Sequence, residues 1–193
     1  MDVGFIGDGE MAEAIMDRLR EAGHRLHRHP HGRGAFRDRA GACDVVMMLL
    51  PDACAVESAL FAEDGFAAAL PPGALVIDLS VLPPAEASAN AARLADLGGL
   101  LVDAPVGSGP VIDVGGSDAA CVRAEPLLRL FTDGVVRAGG PGSGQRGRLL
   151  RLSDRKMSDS KRTDRKSDDP DGLHRLLRLM AFDGPAESRL GTS

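Results

Sequence analysis

The stretch VGFIGDGEMAEAIMDRLREAGH, residues 3–24, decides the fold. Val3 to Ile6 is a short apolar run of the kind that forms a strand buried on both faces. Gly7-Asp8-Gly9-Glu10-Met11-Ala12 then follows the pattern G-x-G-x-x-[G/A]. Met11, Ile15 and Leu19 recur at the spacing of one helix face, and Ala22 closes the stripe before Gly23, a favoured residue just past a helix end. A strand that passes into a helix through two glycines bares backbone amides. Gly7 permits the tight turn, Gly9 lets a pyrophosphate approach the main chain, and Ala12 keeps helix and strand close. In a βαβ setting the pattern predicts a dinucleotide site; a structural turn that binds nothing is the plain alternative.

The surroundings supply that setting. DVVMMLLP, ALVIDLS and LLVDAPV are further apolar runs without polar alternation, as buried parallel strands require. Helical patterns separate them, in ESALFAEDGFAAAL and in PAEASANAARLADLGG, the latter with Pro84 near its start. Strands alternating with helices predict an α/β fold with a Rossmann-type, doubly wound, mostly parallel sheet over residues 1–150. After Gly147 the pattern stops. SDRKMSDSKRTDRKSDDPD, residues 153–171, mixes both signs of charge with almost no apolar side chain. Residues 151–193 therefore read as a charged, disordered tail, with one short amphipathic helix at 172–182 as its single structured candidate.

Composition narrows the class. With 193 residues, 44% apolar, six Phe and neither Trp nor Tyr, the chain can build one core packed from aliphatic side chains. A net charge of −5 argues against nucleic-acid binding. No apolar run nears the roughly 20 residues that span a bilayer, and no signal peptide is evident. Cys43, Cys54 and Cys121 are scattered, as reduced thiols are. A cytoplasmic protein without membrane or nucleic-acid partners is expected.

The segment after the helix bears on the cofactor. An NAD site usually places an acidic residue at the end of the second strand, to hold ribose hydroxyls. Here HRLHRHPHGRG, residues 24–34, has Arg25, Arg28, His29, His31 and Arg33 and no carboxylate. Cations that pair with a 2′-phosphate favour NADP(H) over NAD(H). A solvated strand face is the bland reading of the same residues. The four histidines carry no cysteine or acid within the run to complete a tetrahedral set, so no metal is expected.

Taken in order, these segments, together with LVDAPVGSGP and GGPGSGQRGRLL, resemble the β-hydroxyacid dehydrogenases, including 3-hydroxyisobutyrate dehydrogenase and the NADP-binding domain of 6-phosphogluconate dehydrogenase, and the related imine reductases. The resemblance covers most of residues 2–150. It implies a nicotinamide-dependent oxidoreductase, with Gly7, Asp8, Gly9, Glu10 and Met11 on the pyrophosphate. Leu50, Pro51, Ser80 and Val81 would lie near the nicotinamide half, and Gly107, Ser108 and Gly109 would meet a substrate carboxylate.

Four departures from the family pattern stand out. Near 30–43 the chain is short, so the second helix and third strand should be missing or reduced, leaving strand two at an edge. A second shortening follows Pro110. The family's catalytic lysine, and the asparagine one turn later, are Arg148 and Leu152. Arginine stays protonated, so Arg148 can polarise an oxygen but not shuttle a proton; a surface residue at a helix end is its other reading. The family's helical C-terminal domain also has no counterpart in this sequence. Two functions follow. One is hydride transfer between NADP(H) and a small hydroxy acid, aldehyde acid or imine; the other is a catalytically inactive dinucleotide-binding module, a sensor or decayed homologue. An exposed second strand is compatible with a homodimer.

Overall fold

The computed structural model describes residues 1–29, 36–107 and 109–160, with side chains through residue 154. Elements follow in the order β1 (Asp2–Gly7), α1 (Glu10–Glu21), β2 (Arg25–His29), α2 (Arg37–Ala40), β3 (Val45–Leu49), α3 (Ala53–Phe61) and β4 (Leu75–Asp78). The chain continues through α4 (Pro84–Asp96), β5 (Leu100–Asp103), β6 (Val111–Gly115), α5 (Asp118–Leu128), β7 (Gly134–Gly139) and α6 (Ser143–Ser160). Among the described residues the strands form one sheet in the order β2-β1-β3-β4-β5-β6-β7. Every neighbouring pair is parallel except β5 and β6, which meet antiparallel at Asp103 and Gly115.

Alternation along the strands divides the core between the two faces of the sheet. Val3, Phe5, Met47 and Ile77 pack with Ile15, Met16 and Leu19 of α1 and with Leu127 and Leu128 of α5. Ile6, Val46, Met48 and Val76 face the other way, toward Phe36, Val56, Leu60 and Leu94. Helices on both faces make the fold doubly wound, as expected. Fully burying such side chains contributes about 1.5–3 kcal/mol each, and the central strands carry several apiece.

Local signals set the helix boundaries. Asp52 caps α3 by accepting from the Ala55 amide at 2.8 Å, Pro84 stands in the first turn of α4, and Ser117 accepts from Ala120 N–H at 3.3 Å to start α5. Gly23 takes the positive φ (82°) expected past the end of α1. Ala22, however, is exposed; Ala12, Ile15, Met16 and Leu19 form the buried stripe, with Met11 only half-buried at its margin. The helix expected over ESALFAEDGFAAAL ends at Phe61 and yields to a single 3-10 turn at Ala67–Ala69.

Around the segment expected to be short, the described residues begin again at Phe36. α2 has four residues and β2 is the sheet's edge among the described residues. Phe36 fills the space on that side, lying against Gly4, where a Cβ would collide with its ring, and edge-on to Phe66 at 5.7 Å. The charged stretch from Ser153 differs from expectation: α6 continues through Ser160, so its first part is helical rather than disordered. Straight-chain Arg and Lys favour helix despite their charge, and the packed first turns of α6 supply the nucleus that an isolated segment lacks. Residues 161–193, including the helix expected at 172–182, lie outside the described residues, as do His31, Arg33 and Ser108.

The register sets Asp78 beside Asp103 at the ends of β4 and β5, and both carboxyls are buried. Burial pushes Asp78 up to about 7 against the opposing hydrogen bonds from Ser80, and the Asp103 charge raises it further. Asp103 is raised by burial too, opposed by amides of α6. A raised carboxyl holds a proton in the folded state that the unfolded chain has released. Its stabilisation is therefore complete below about pH 4 and is lost as pH rises to about 7. The melting temperature should fall across that window. In Asp78→Asn most of the fall should vanish in thermal scans from pH 5 to 8; an unaltered slope would refute the assignment.

Candidate active site at the carboxyl edge of the sheet

Parallel strands β1, β3, β4 and β5 all end on one edge, and the loops leaving them meet there. Gly7, the last residue of β1, sits against β3 so closely that a Cβ would strike the Leu49 carbonyl. Its role is therefore close strand packing as well as the turn. Gly9 begins α1 at φ 95°, and a Cβ built on it meets nothing within 4 Å. Asp8, Gly9 and Glu10 are exposed, and no side chain caps the helix. The notch is open, with the positive end of α1 facing it. Ala12 is buried between α1 and the sheet, as the expected close approach requires.

The next two corners are bound to each other. Leu50 N–H donates to Ser80 Oγ at 2.9 Å, and Ser80 N–H donates to Asp78 Oδ1 at 2.9 Å. Leu50 and Ser80 are buried, whereas Pro51 and Val81 stand exposed at the edge. Leu50, Pro51, Ser80 and Val81 are thus brought together beside the glycine turn.

The far side of the edge is built by α6. Asp103 accepts from Gly142 N–H at 2.7 Å and from Gln145 N–H at 2.9 Å, which fixes the start of the helix over β5 and β6. Gly144 and Gly147 let it lie flush: Cβ atoms there would strike the Asp103 main chain and the Asp113 side chain. Arg151 adds a two-pronged bond to buried Asp113, at 2.6 and 2.8 Å. Arg148 lies on the same helix. It is half-buried, and its Nε is enclosed without a hydrogen-bond partner among the described residues, 3.3 Å from where a Cβ on Gly107 would stand. That position is no fraying end, since α6 runs on to Ser160. Leu152 follows one turn later.

At the opposite end, Arg28 closes on the glycine turn: its Nη2 is 2.6 Å from Glu13 Oε1 and 3.6 Å from Asp8 Oδ1. His29 projects to the other face of β2, its ring centre 5.7 Å from that of Phe36. The two residues therefore do not converge on one point. His27 pairs with Asp2 Oδ1 at 2.7 Å, which holds the Asp2 carboxyl below its usual range. Among the described residues no group of three or more His, Cys, Asp or Glu is placed to hold a metal, and no helix is long and apolar enough to cross a membrane.

Sequence reasoning missed two contributors. Glu13 was simply a helix residue until β2 brought Arg28 beside it. Gln145 is buried and clamps the corner at Ser80–Leu82, its Nε2 donating to the Ser80 carbonyl at 2.8 Å and its Oε1 accepting from Leu82 N–H at 3.1 Å. Its place in GSGQ was visible, but its partners are more than sixty residues away. Gln145→Leu leaves a buried amide and a buried carbonyl unpaired, at about 1–3 kcal/mol each. Urea unfolding should show a loss of roughly 2–4 kcal/mol; a loss below about 0.5 kcal/mol would mean the clamp is idle.

Known proteins share this arrangement. Residues 28–140 match the family described as the NAD binding domain of 6-phosphogluconate dehydrogenase. The 2-hydroxy-3-oxopropionate reductase of Escherichia coli strain K12 is 33% identical over 166 residues, covering 75% of this chain and 57% of that protein. The L-threonate dehydrogenase of Cupriavidus necator is 32% identical over 172 residues, with 77% and 58% covered. Among solved structures, Psf3 in complex with NADP+ and 2-OPP superposes with a TM-score of 0.71 at 28% identity, covering 77% of this chain and 61% of that one. The chain spans less than three fifths of the length of these two curated relatives. With a nicotinamide-dinucleotide-binding domain as its matched part, it belongs to the β-hydroxyacid dehydrogenase family.

Proposed function

We propose that the chain binds NADP(H) across the carboxyl edge of its sheet and serves hydride transfer to or from a small hydroxy acid, aldehyde acid or imine. The observation that carries this reading is the open notch at Gly9. Its backbone conformation excludes ordinary side chains, its Cβ direction is empty, and the helix start behind it has no side-chain cap. Free amides and the helix dipole suit a diphosphate at Gly7–Met11. Arg28 stands beside the glycine turn, where an adenosine 2′-phosphate would lie, while Leu50, Pro51, Ser80 and Val81 border the nicotinamide end. When bound, the cofactor supplies or accepts the hydride at C4 of its nicotinamide.

The remaining work falls to the chain's own residues. Gly107, with Arg148 beside it, would border the space beyond the nicotinamide. The enclosed Nε–H of Arg148 has no acceptor among the described residues, and a substrate oxyanion or carboxylate would satisfy it. Arg148 thereby orients and polarises. It does not deliver a proton, because its guanidinium stays charged. That substitution, with Leu152 where the resemblance places asparagine, favours a second reading in which this domain binds the dinucleotide without turnover.

Calorimetric titration with NADPH and NADH, on the wild-type chain and on Gly9→Val, tests the site. Valine at positive φ costs about 1–2 kcal/mol in backbone strain and projects into the notch. NADPH affinity should drop more than tenfold while circular dichroism shows the fold retained, and Gly9→Ala serves as a milder check. Undiminished binding by both variants would overturn the site. NADPH consumption with small aldehyde acids or cyclic imines supports the oxidoreductase reading; binding without turnover across the panel supports the inactive module.

A further inference from the structure

Among the described residues of the basic run, Arg28 is the one that reaches the glycine turn, and carboxylates already engage it. Leu26 packs into the α1 side of the core, and Arg28, two residues further along β2, projects from the same face. This direction brings its Nη2 to 2.6 Å from Glu13 in the first turn of α1 and 3.6 Å from Asp8 in the glycine turn. Two acidic residues thus engage one guanidinium, and a dianionic 2′-phosphate would arrive beside them. Ribose hydroxyls, which are neutral and donate hydrogen bonds to carboxylates, meet no such opposition.

We propose that Glu13 sets cofactor selectivity: by pairing with Arg28 it withholds the guanidinium from the adenosine 2′-phosphate, so that the chain discriminates only weakly between NADPH and NADH. This inference rests on the dinucleotide site proposed above and concerns its ribose end. A purely structural role accounts poorly for the pair. Both side chains are about 41% exposed, and such pairs add little to stability. The same carboxylate acts fully on a phosphate arriving at Arg28, since charges in contact at a binding site govern the choice between ligands.

The test is calorimetric titration of the full chain with NADPH, NADH and adenosine 2′,5′-bisphosphate, for wild type, Glu13→Gln, Arg28→Ala and the double variant. Glutamine keeps the length and helix propensity of Glu13 but removes its charge. Glu13→Gln should raise the ratio of NADPH to NADH affinity about fivefold, equivalent to roughly 1 kcal/mol. Adenosine 2′,5′-bisphosphate should bind more tightly in parallel. In the Arg28→Ala background that gain should disappear, because the released guanidinium is its source. An unchanged ratio in Glu13→Gln overturns the inference, and so does a gain that persists without Arg28. Failure of the wild-type chain to bind either nucleotide overturns the dinucleotide reading itself, and this inference with it.

Discussion

A buried carboxylate holds the two halves of the site in register. Asp103 ends β5, and its oxygens receive amides from Gly142 and Gln145 at the start of α6. A carboxylate in a dry interior is costly unless it is satisfied, and helix-start amides satisfy it while the dipole favours its charge. The interaction therefore works in both directions: the helix start keeps the acid tolerable, and the acid fixes where the helix begins. Gln145, Arg148 and Arg151 then fall on fixed turns of α6. Gln145 reaches the Ser80 corner, Arg148 faces Gly107, and Arg151 grips Asp113. Were α6 to start one residue later, each of these contacts would rotate about 100° away.

The glycines around this anchor serve packing more than ligand binding. In GPGSGQRG, Gly142, Gly144 and Gly147 stand where a Cβ would strike Pro84, Asp103 or Asp113. They let helix and sheet approach. Gly9 alone in the glycine turn is both strained for other residues and free of neighbours, which is the combination a ligand needs. Glycine-rich stretches at the two ends of one sheet edge thus have opposite functions, and the Cβ direction tells them apart.

This distinction also explains how far the sequence could be read. β1, β3, β4 and β5 were legible because both of their faces are buried, so apolar residues run without interruption. β6 and β7 were not. VIDVG carries Asp113, whose charge is matched by Arg151 from a helix far along the chain, and GVVRAG is mostly exposed. The glycine turn and the corners at Leu50–Pro51 and Ser80–Val81 could be located from strand ends and resemblance. The partners of Arg28 could not, since Glu13 becomes its neighbour only once β2 is laid in register on β1. The helical course of 153–160 was hidden for a related reason: composition measures what a segment can bury alone, not what a helix already nucleated at Ser143 can extend.

The proposed cofactor and substrate ends would be built from different materials, and this would govern how each tolerates change. At the proposed cofactor end the key groups would be main-chain amides positioned by glycine conformation, so most side-chain substitutions nearby would leave the notch intact. Selectivity there would follow from exposed charges whose balance a single residue can shift. At the proposed substrate end the key group would be one side chain, Arg148, whose enclosed Nε has no acceptor among the described residues. An anion arriving there would satisfy that donor. Arginine in this position therefore favours capture and orientation of a negatively charged substrate over proton delivery. In the carbonyl reduction proposed above, Arg148 would then hold the oxygen while the proton comes through solvent.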